Sequence, residues 1–353
     1  MVLKVLTVLK VLVLMVLVLC VCGVRLQPGL AAQGAVAYRL GTFEVRGARF
    51  VGLVVDDAVA RLDQALDRPP REMGELIARY DELKPRLQEA AAAVAGQGAR
   101  PRYGVSLSAV KVLPPVLPGT LLNAAVNYVE HEREMSGSST QGAAAPAKLP
   151  DAIPGIWPRK PGDTRHNPYL FPKLRSAVIA DGEAIRIPAG RDRIDWECEL
   201  TVVVGRTASR VPVERAADHI FGYTLENDVS DRAGRGDGRH GSDWLIGKSH
   251  DTFAPLGPFI VPREFVKDPQ KLAITFTLNG KVMQDSNTSR MTHTVYELLS
   301  YASHILTLRP GDVIATGSPA GVGTARATPI YFKAGDRSVC TIESIGTLSN
   351  PVQ

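Results

Sequence analysis

From Pro168 onward, apolar residues come in short runs with period two, broken at close intervals by Gly, Pro, Asn and Asp. The runs Ala177–Ile179, Ala184–Ile187, Cys198–Val204, Gly257–Val261, Ile274–Leu278, Val313–Ala315, Tyr331–Phe332 and Ser338–Ile345 predict strands. Asn279-Gly280, between Ile274–Leu278 and Lys281–Gln284, predicts a tight hairpin, because both residues accept the positive φ of such a turn. Helical spacing is confined to Val213–His219 and Thr294–Leu306. No βαβ alternation and no internal repeat is visible. The pattern therefore predicts an α+β protein, predominantly β, built as a mixed, largely antiparallel sandwich or roll.

Upstream, Tyr38–Val55 predicts two short strands that turn at Gly47, and Met73–Ala95 predicts a helix with Leu76, Ile77, Tyr80, Leu83 and Leu87 on one face. Pro114-Pro115 and Pro118-Gly119 punctuate the join, so residues 33–117 read as a small N-terminal module and 118–353 as the main domain. Residues 136–166, with Ser136-Gly137-Ser138-Ser139 and Ala143–Pro146, are too small and polar to build a core. They read as a mobile loop or lid, or as a plain surface insertion.

Residues 1–32 are of another kind. Lys4 and Lys10 precede the apolar stretch Val11–Val24, which ends in the small-residue zone Gly29-Leu30-Ala31-Ala32. That is the layout of a secretory signal. An uncleaved N-terminal anchor is the rival reading, since counting back to Val5 lengthens the apolar core; a start codon set too far upstream is a third. The expectation is an exported or periplasmic protein, membrane-anchored if the leader stays. The chain carries a formal charge of +5, and residues 1–32 hold three basic residues and no acid, leaving +2 for the rest. So small an excess argues against a nucleic-acid partner. Only Cys198 and Cys340 lie beyond the leader, enough for one disulfide but not for a disulfide framework.

The chemistry gathers at Asp195-Trp196-Glu197-Cys198-Glu199-Leu200 and, about thirty residues on, Glu226-Asn227-Asp228. On a strand, Glu197 and Glu199 share one face while Cys198 points to the other, toward core. Two like charges side by side repel unless a cation stands between them, and a hard divalent ion with Asp228 as third oxygen ligand would serve. A solvated strand edge with alternating acids is the plainer alternative.

Taken in order, the motifs from about Leu121 to Pro351 resemble the fumarylacetoacetate hydrolase family. Asn127-Tyr128-Val129-Glu130-His131-Glu132-Arg133-Glu134 resembles its N-Y-x-x-H-x-x-E. Phe171-Pro172-Lys173, D-W-E-C-E-L at 195–200, Gly222-Tyr223-Thr224 with Asn227-Asp228-Val229-Ser230, and Gly247-Lys248-Ser249 follow. Thr316-Gly317-Ser318-Pro319 closes the series. The resemblance implies Mg²⁺, or Mn²⁺ or Ca²⁺, on Glu197, Glu199 and Asp228, and a small 2-oxo acid as substrate. It implies His131 and Glu134 as an acid–base pair, with Lys248 stabilising a developing oxyanion. Tyr128, Arg232, Arg235, Thr316, Gly317 and Ser318 would contact substrate. A homodimer is also implied.

The implied reaction is metal-dependent hydrolysis of a C–C bond in a 2,4-dioxo acid of acylpyruvate or fumarylpyruvate type, through a metal-bound enolate. Isomerase, tautomerase or decarboxylase action on 2-oxo dicarboxylates uses the same site. An exported, non-catalytic binder of small carboxylates is the alternative of another class. Arg235 stands where many small members carry glutamine, Asn127 replaces an aspartate of the fumarylacetoacetases proper, and Ser318 replaces the commoner threonine. Asn127 favours the isomerase, decarboxylase and acylpyruvate hydrolase branches, whereas Arg235 suits either a second substrate carboxylate or a solvated loop and leaves the reaction open. Gly247-Lys248-Ser249 is no phosphate loop, because Asp243 stands where the upstream glycine belongs. The Arg235-Gly236-Asp237 tripeptide reads as chance, and His166, His219, His293 and His304 as surface or packing residues.

Overall fold

The computed structural model describes residues 35–96, 101–137, 156–233, 239 and 241–353. The leader, most of the predicted lid and Arg235 lie outside the described residues.

The chain opens with β1 (Arg39–Val45), β2 (Ala48–Val55), β3 (Ala58–Arg61), β4 (Gly104–Ser106) and β5 (Lys111–Leu113). The predicted turn at Gly47 joins β1 to β2, with Val45 opposite Ala48. The predicted helix over 73–95 is instead two, α1 (Met73–Ala78) and α2 (Tyr80–Ala95), separated at Arg79. Phe43, Phe50, Val54, Val59 and Phe259 form a buried cluster against this module.

The remaining strands are β6 (Leu121–Ala125), β7 (Tyr169–Lys173), β8 (Val178–Ile179), β9 (Ile194–Asp195), β10 (Cys198–Val204), β11 (Ile220–Asn227) and β12 (Ser230–Asp231). They continue with β13 (Ala254–Pro262), β14 (Ala273–Leu278), β15 (Lys281–Asn287), β16 (Val313–Ala315), β17 (Arg337–Ile342) and β18 (Gly346–Pro351). One sheet runs β4-β3-β2-β1-β13-β11-β10-β16-β6-β7, with β5 added to β1 and β8 to β13. The N-terminal strands thus join the sheet of the main domain, Leu40 lying opposite Ile260. A second sheet, β15-β14-β17-β18, is antiparallel throughout. The fold is the predominantly β, mixed sandwich or roll that the sequence predicts.

Period two on β9 and β10 decides what lies between the sheets. Trp196 and Cys198 point away from the acids, toward β14 and β17. Trp196 stacks on Phe276 with ring centroids 5.4 Å apart, and Cys198 forms a disulfide with Cys340. The acids are left on the opposite face.

Two predicted strands do not form. Ala184–Ile187 contributes only an isolated bridge from Ile185 to Val352, and Tyr331–Phe332 only a backbone bond from Phe332 N–H to the Ile194 carbonyl. The Ile185 and Ile187 backbones bond to Pro351 and Gln353, at and just past the end of β18, so no regular ladder extends from there. Ser338–Ile345 divides into β17 and the turn to β18, and Val213–His219 is a 3₁₀ segment. Ile220–Asn227, Leu121–Ala125 and Tyr169–Lys173 are strands the pattern does not predict, because polar residues interrupt their apolar runs.

Besides the single helical turn Leu62–Ala65, the other helices are α3 (Val129–Gly137), α4 (Trp244–Lys248) and α5 (Val295–Ile305). Thr294 and Glu297 form a reciprocal capping box at the start of α5. The segment 156–167 is pinned to this helix: Trp157 Nε1 donates to Ser300 Oγ at 3.0 Å, and Arg165 donates to Glu297. His293 is buried there among Trp157, His166 and Arg165. Among the described residues no helix is long and apolar enough to cross a membrane.

Two stability predictions follow from this packing. The disulfide closes 142 residues, for which chain entropy gives about 5 kcal/mol. Paired Cys198→Ala and Cys340→Ala substitutions should therefore lower unfolding free energy in denaturant by about 3–5 kcal/mol. Burial, helped by the Arg165 charge, pushes His293 down to about 4. The unfolded chain then binds the extra proton between roughly pH 6.5 and 4, so stability falls by about 3 kcal/mol as pH drops through that window. His293→Phe should flatten that part of an acid-unfolding profile.

Candidate active site

The antiparallel pairing of β10 and β11 sets Glu199 opposite Glu226 and Cys198 opposite Asn227. Asn227 fixes the end of the pair: its Oδ1 accepts from the Glu197 backbone N–H at 3.0 Å, while Asp228 N–H donates to the Glu197 carbonyl at 2.8 Å. Glu197, Glu199 and Asp228 are buried and offer carboxylate oxygens that all lie within 4.8 Å of one another. Three hard oxygens at that spacing are a ligand set for a divalent ion, with room left for substrate and water.

The charges around the triad are unevenly answered. Lys248, at the end of α4, donates to Glu197 Oε2 at 2.7 Å and Asp228 Oδ2 at 2.6 Å. Asp243 positions that short helix by accepting from the Leu245 and Ile246 N–H groups. Lys173 of β7 donates to the other Asp228 oxygen at 2.5 Å. Arg232 donates to Glu197 Oε1 at 2.5 Å and to Asp195 Oδ2 at 3.0 Å. Burial opposes the charge of Glu197, yet Lys248, Arg232 and His131 hold its carboxyl well below the usual range. Among the described residues Glu199 has no such ion-pair partner. Burial, and then the charges of Asp228 and Glu197, push it well up. A buried carboxyl raised by its neighbours' like charge is what a divalent ion at the triad would relieve, so the residues present fit the ion.

His131 and Glu134 lie one turn apart on α3. Glu134 Oε2 is 3.0 Å from His131 Nδ1, and the same carboxylate accepts from the Gly321 N–H. On the far side of the ring, Nε2 is 4.0 Å from Glu197 Oε1. The histidine is buried and sits between its orienting acid and the triad.

The other expected site residues are placed as follows. Tyr128 is fully buried, and its hydroxyl has no hydrogen-bond partner among the described residues. Burial, then the charges of Glu199 and Glu130, raise it well above the usual phenol value. Arg232 is engaged with Asp195 and Glu197, as above. Thr316 Oγ1 donates to the Leu200 carbonyl. Gly317 N–H donates to Glu199 Oε2 at 2.8 Å. Gly317 has φ +89°, and a Cβ there would lie 2.7 Å from Asn127 Cβ, so only glycine brings that N–H to the carboxylate. Ser318 Oγ accepts from Gln284 Nε2 at 2.7 Å. His250 lies with Nε2 3.5 Å from Asp231 and its ring against Phe253.

Lys173, Asp195, Glu226 and Asn123 were not singled out from sequence as site residues. Lys173 and Asp195 lie inside quoted motifs, and a charged residue within an otherwise apolar strand is the signal that marks them. Asp195 accepts from the N–H groups of Trp196, Gly323 and Thr324 and so anchors the strand before the triad. Glu226 is fully buried, and burial with the Asp228 charge, offset by Lys173, raises it to about 7.

Residues 120–353 match the fumarylacetoacetate (FAA) hydrolase C-terminal family. The oxaloacetate tautomerase fahd2 of Xenopus laevis is 36% identical over 249 residues, 70% of each chain. The solved 5-carboxymethyl-2-hydroxymuconate delta-isomerase of Mycobacterium smegmatis is 29% identical with a TM-score of 0.63, covering 89% of this chain and 98% of that one. Maleylpyruvate hydrolase from Sphingobium sp. SYK-6, solved with manganese(II) and pyruvate, is 26% identical with a TM-score of 0.65 at the same coverage. With the acidic triad in place and His131 paired with Glu134, the chain belongs to the fumarylacetoacetate hydrolase family, as a divalent-metal enzyme.

Proposed function

We propose that the protein hydrolyses a C–C bond in a 2,4-dioxo acid of acylpyruvate or fumarylpyruvate type. The observation that carries this reading is the setting of His131. Glu134 takes the Nδ1 proton as a hydrogen bond, so the neutral ring keeps its lone pair at Nε2, on the side of Glu197. A base held there is placed to draw a proton from water, or from carbon, beside the triad.

Glu197, Glu199 and Asp228 would hold Mg²⁺, Mn²⁺ or Ca²⁺, which when bound supplies Lewis-acid stabilisation of the enolate oxygen and of the substrate carboxylate. His131 takes a proton from the water that adds to the C4 carbonyl. The C3–C4 bond then breaks, its electron pair passes to the 2-oxo group as an enolate, and a proton returned to C3 gives a 2-oxo acid and a free carboxylic acid. Lys248, buried beside two triad carboxylates, adds positive charge where the enolate develops. Maleylpyruvate hydrolase, with pyruvate and manganese in its solved structure, supports this reading.

A second reading is tautomerisation of a 2-oxo dicarboxylate, which the 36% identity to an oxaloacetate tautomerase favours. It uses the same base to move a proton between C3 and the enol oxygen, without water. We further propose export and a homodimer. The Cys198–Cys340 disulfide supports export, since such bonds persist in oxidising compartments.

Product NMR with Mg²⁺ and a panel of acylpyruvates, fumarylpyruvate and oxaloacetate separates the readings. Pyruvate plus a free acid, lost with EDTA, is the expected result. Enol-to-keto exchange of oxaloacetate alone would move the assignment to the tautomerase. His131→Ala should lower kcat by about 10²–10⁴-fold while leaving divalent-ion binding by calorimetry within twofold of the parent. Asp228→Asn should lose that binding.

A further inference from the structure

Beyond the triad, the same face of the large sheet carries a second set of buried oxygens. Strand register puts Thr224, Thr201, Ala315 and Asn123 in one row across β11, β10, β16 and β6. Residues paired in this way share a face. The adjacent row on that face holds Glu226 opposite Glu199. Asn123 Nδ2 donates to Glu226 Oε1 at 3.1 Å, so the two rows meet.

The polar residues of both rows are fully buried. Thr201 Oγ1, Thr224 Oγ1, Asn123 Oδ1 and Glu226 Oε2 have no hydrogen-bond partner among the described residues. Nor does a cation bond to Glu226 there. Lys248 and Arg232 reach Glu197, Lys173 and Lys248 reach Asp228, and Arg232 also reaches Asp195. One carboxylate is therefore buried with a single amide as partner, beside three neutral oxygens with nothing to bond. Protein interiors rarely leave such atoms unmatched.

We propose that Glu226, Asn123, Thr201 and Thr224 form a second cation site, adjoining the divalent site and taking a monovalent alkali ion. The donor set decides the class of ligand. It is all oxygen, which excludes the softer metals that seek thiolate or imidazole. Its carboxylate excludes an anion. Its one carboxyl can bear a single negative charge, which one monovalent ion balances, whereas a divalent ion is drawn to the three carboxylates of the triad. An alkali ion at Glu226 would also screen the carboxyl that faces Glu199 across the strand pair. The two ions would then stabilise neighbouring halves of one acidic cluster.

The test is a melting experiment on the purified protein with saturating Mg²⁺, in potassium or sodium chloride against tetramethylammonium chloride of equal ionic strength. Potassium or sodium should raise Tm by several degrees. Glu226→Gln and the near-isosteric Thr224→Val should each abolish that difference while the protein still binds one Mg²⁺. Crystals soaked in rubidium chloride should give an anomalous peak in contact with Glu226 and Asn123. Equal melting in all three salts, a difference that survives both substitutions, or the absence of a rubidium peak would overturn the proposal. Thr224→Val, which alters no charge, keeps the test valid if Glu226→Gln fails to fold.

Discussion

Four carboxylates, Glu197, Glu199, Glu226 and Asp228, are buried at one end of the β10–β11 pair, and the rest of the site is arranged around the cost of that burial. Like charges packed this closely raise one another unless cations stand among them. Lys173, Lys248 and Arg232 reach in from three different segments, and each bonds to Glu197 or Asp228. Asp195 then holds Arg232 from behind. The partners settle on two of the acids and leave Glu199 raised, which is the electrostatic setting into which a divalent ion fits.

The strand can carry this load because its other face is apolar and tied down. Trp196 stacks on Phe276, and Cys198 is bonded covalently to Cys340. A register slip of one residue would bring Trp196 and Cys198 into the acidic cluster and drive the acids between the two sheets. Gly317 adds a second constraint, since its positive φ turns an N–H onto Glu199.

Much of this is legible in the sequence, and for physical reasons. Alternation in D-W-E-C-E predicts which residues share the acid face, and β10 spans the predicted Cys198–Val204, ending where its β-branched run does. The helix over 294–306 is marked by its Thr and Glu cap. The strand Ile220–Asn227 is not legible by the same rule. It buries every residue, but it carries Thr224, Glu226 and Asn227, and burying those polar side chains makes sense only once the facing acids and cations are known. Lys173 escapes for the same reason. The bridge by which Ile185 reaches Val352 depends on a neighbour far along the chain, which local pattern does not contain.

The His131–Glu134 pair and the acidic triad belong to elements of different kinds. The triad is set by sheet register and by Asn227, whereas His131 and Glu134 ride on α3, just ahead of the Ser- and Ala-rich stretch. A substitution confined to α3 therefore leaves the strand register that places the triad untouched. Proton handling and carboxylate geometry are thus separable on one scaffold, which suits a family whose members include a hydrolase, an isomerase and a tautomerase.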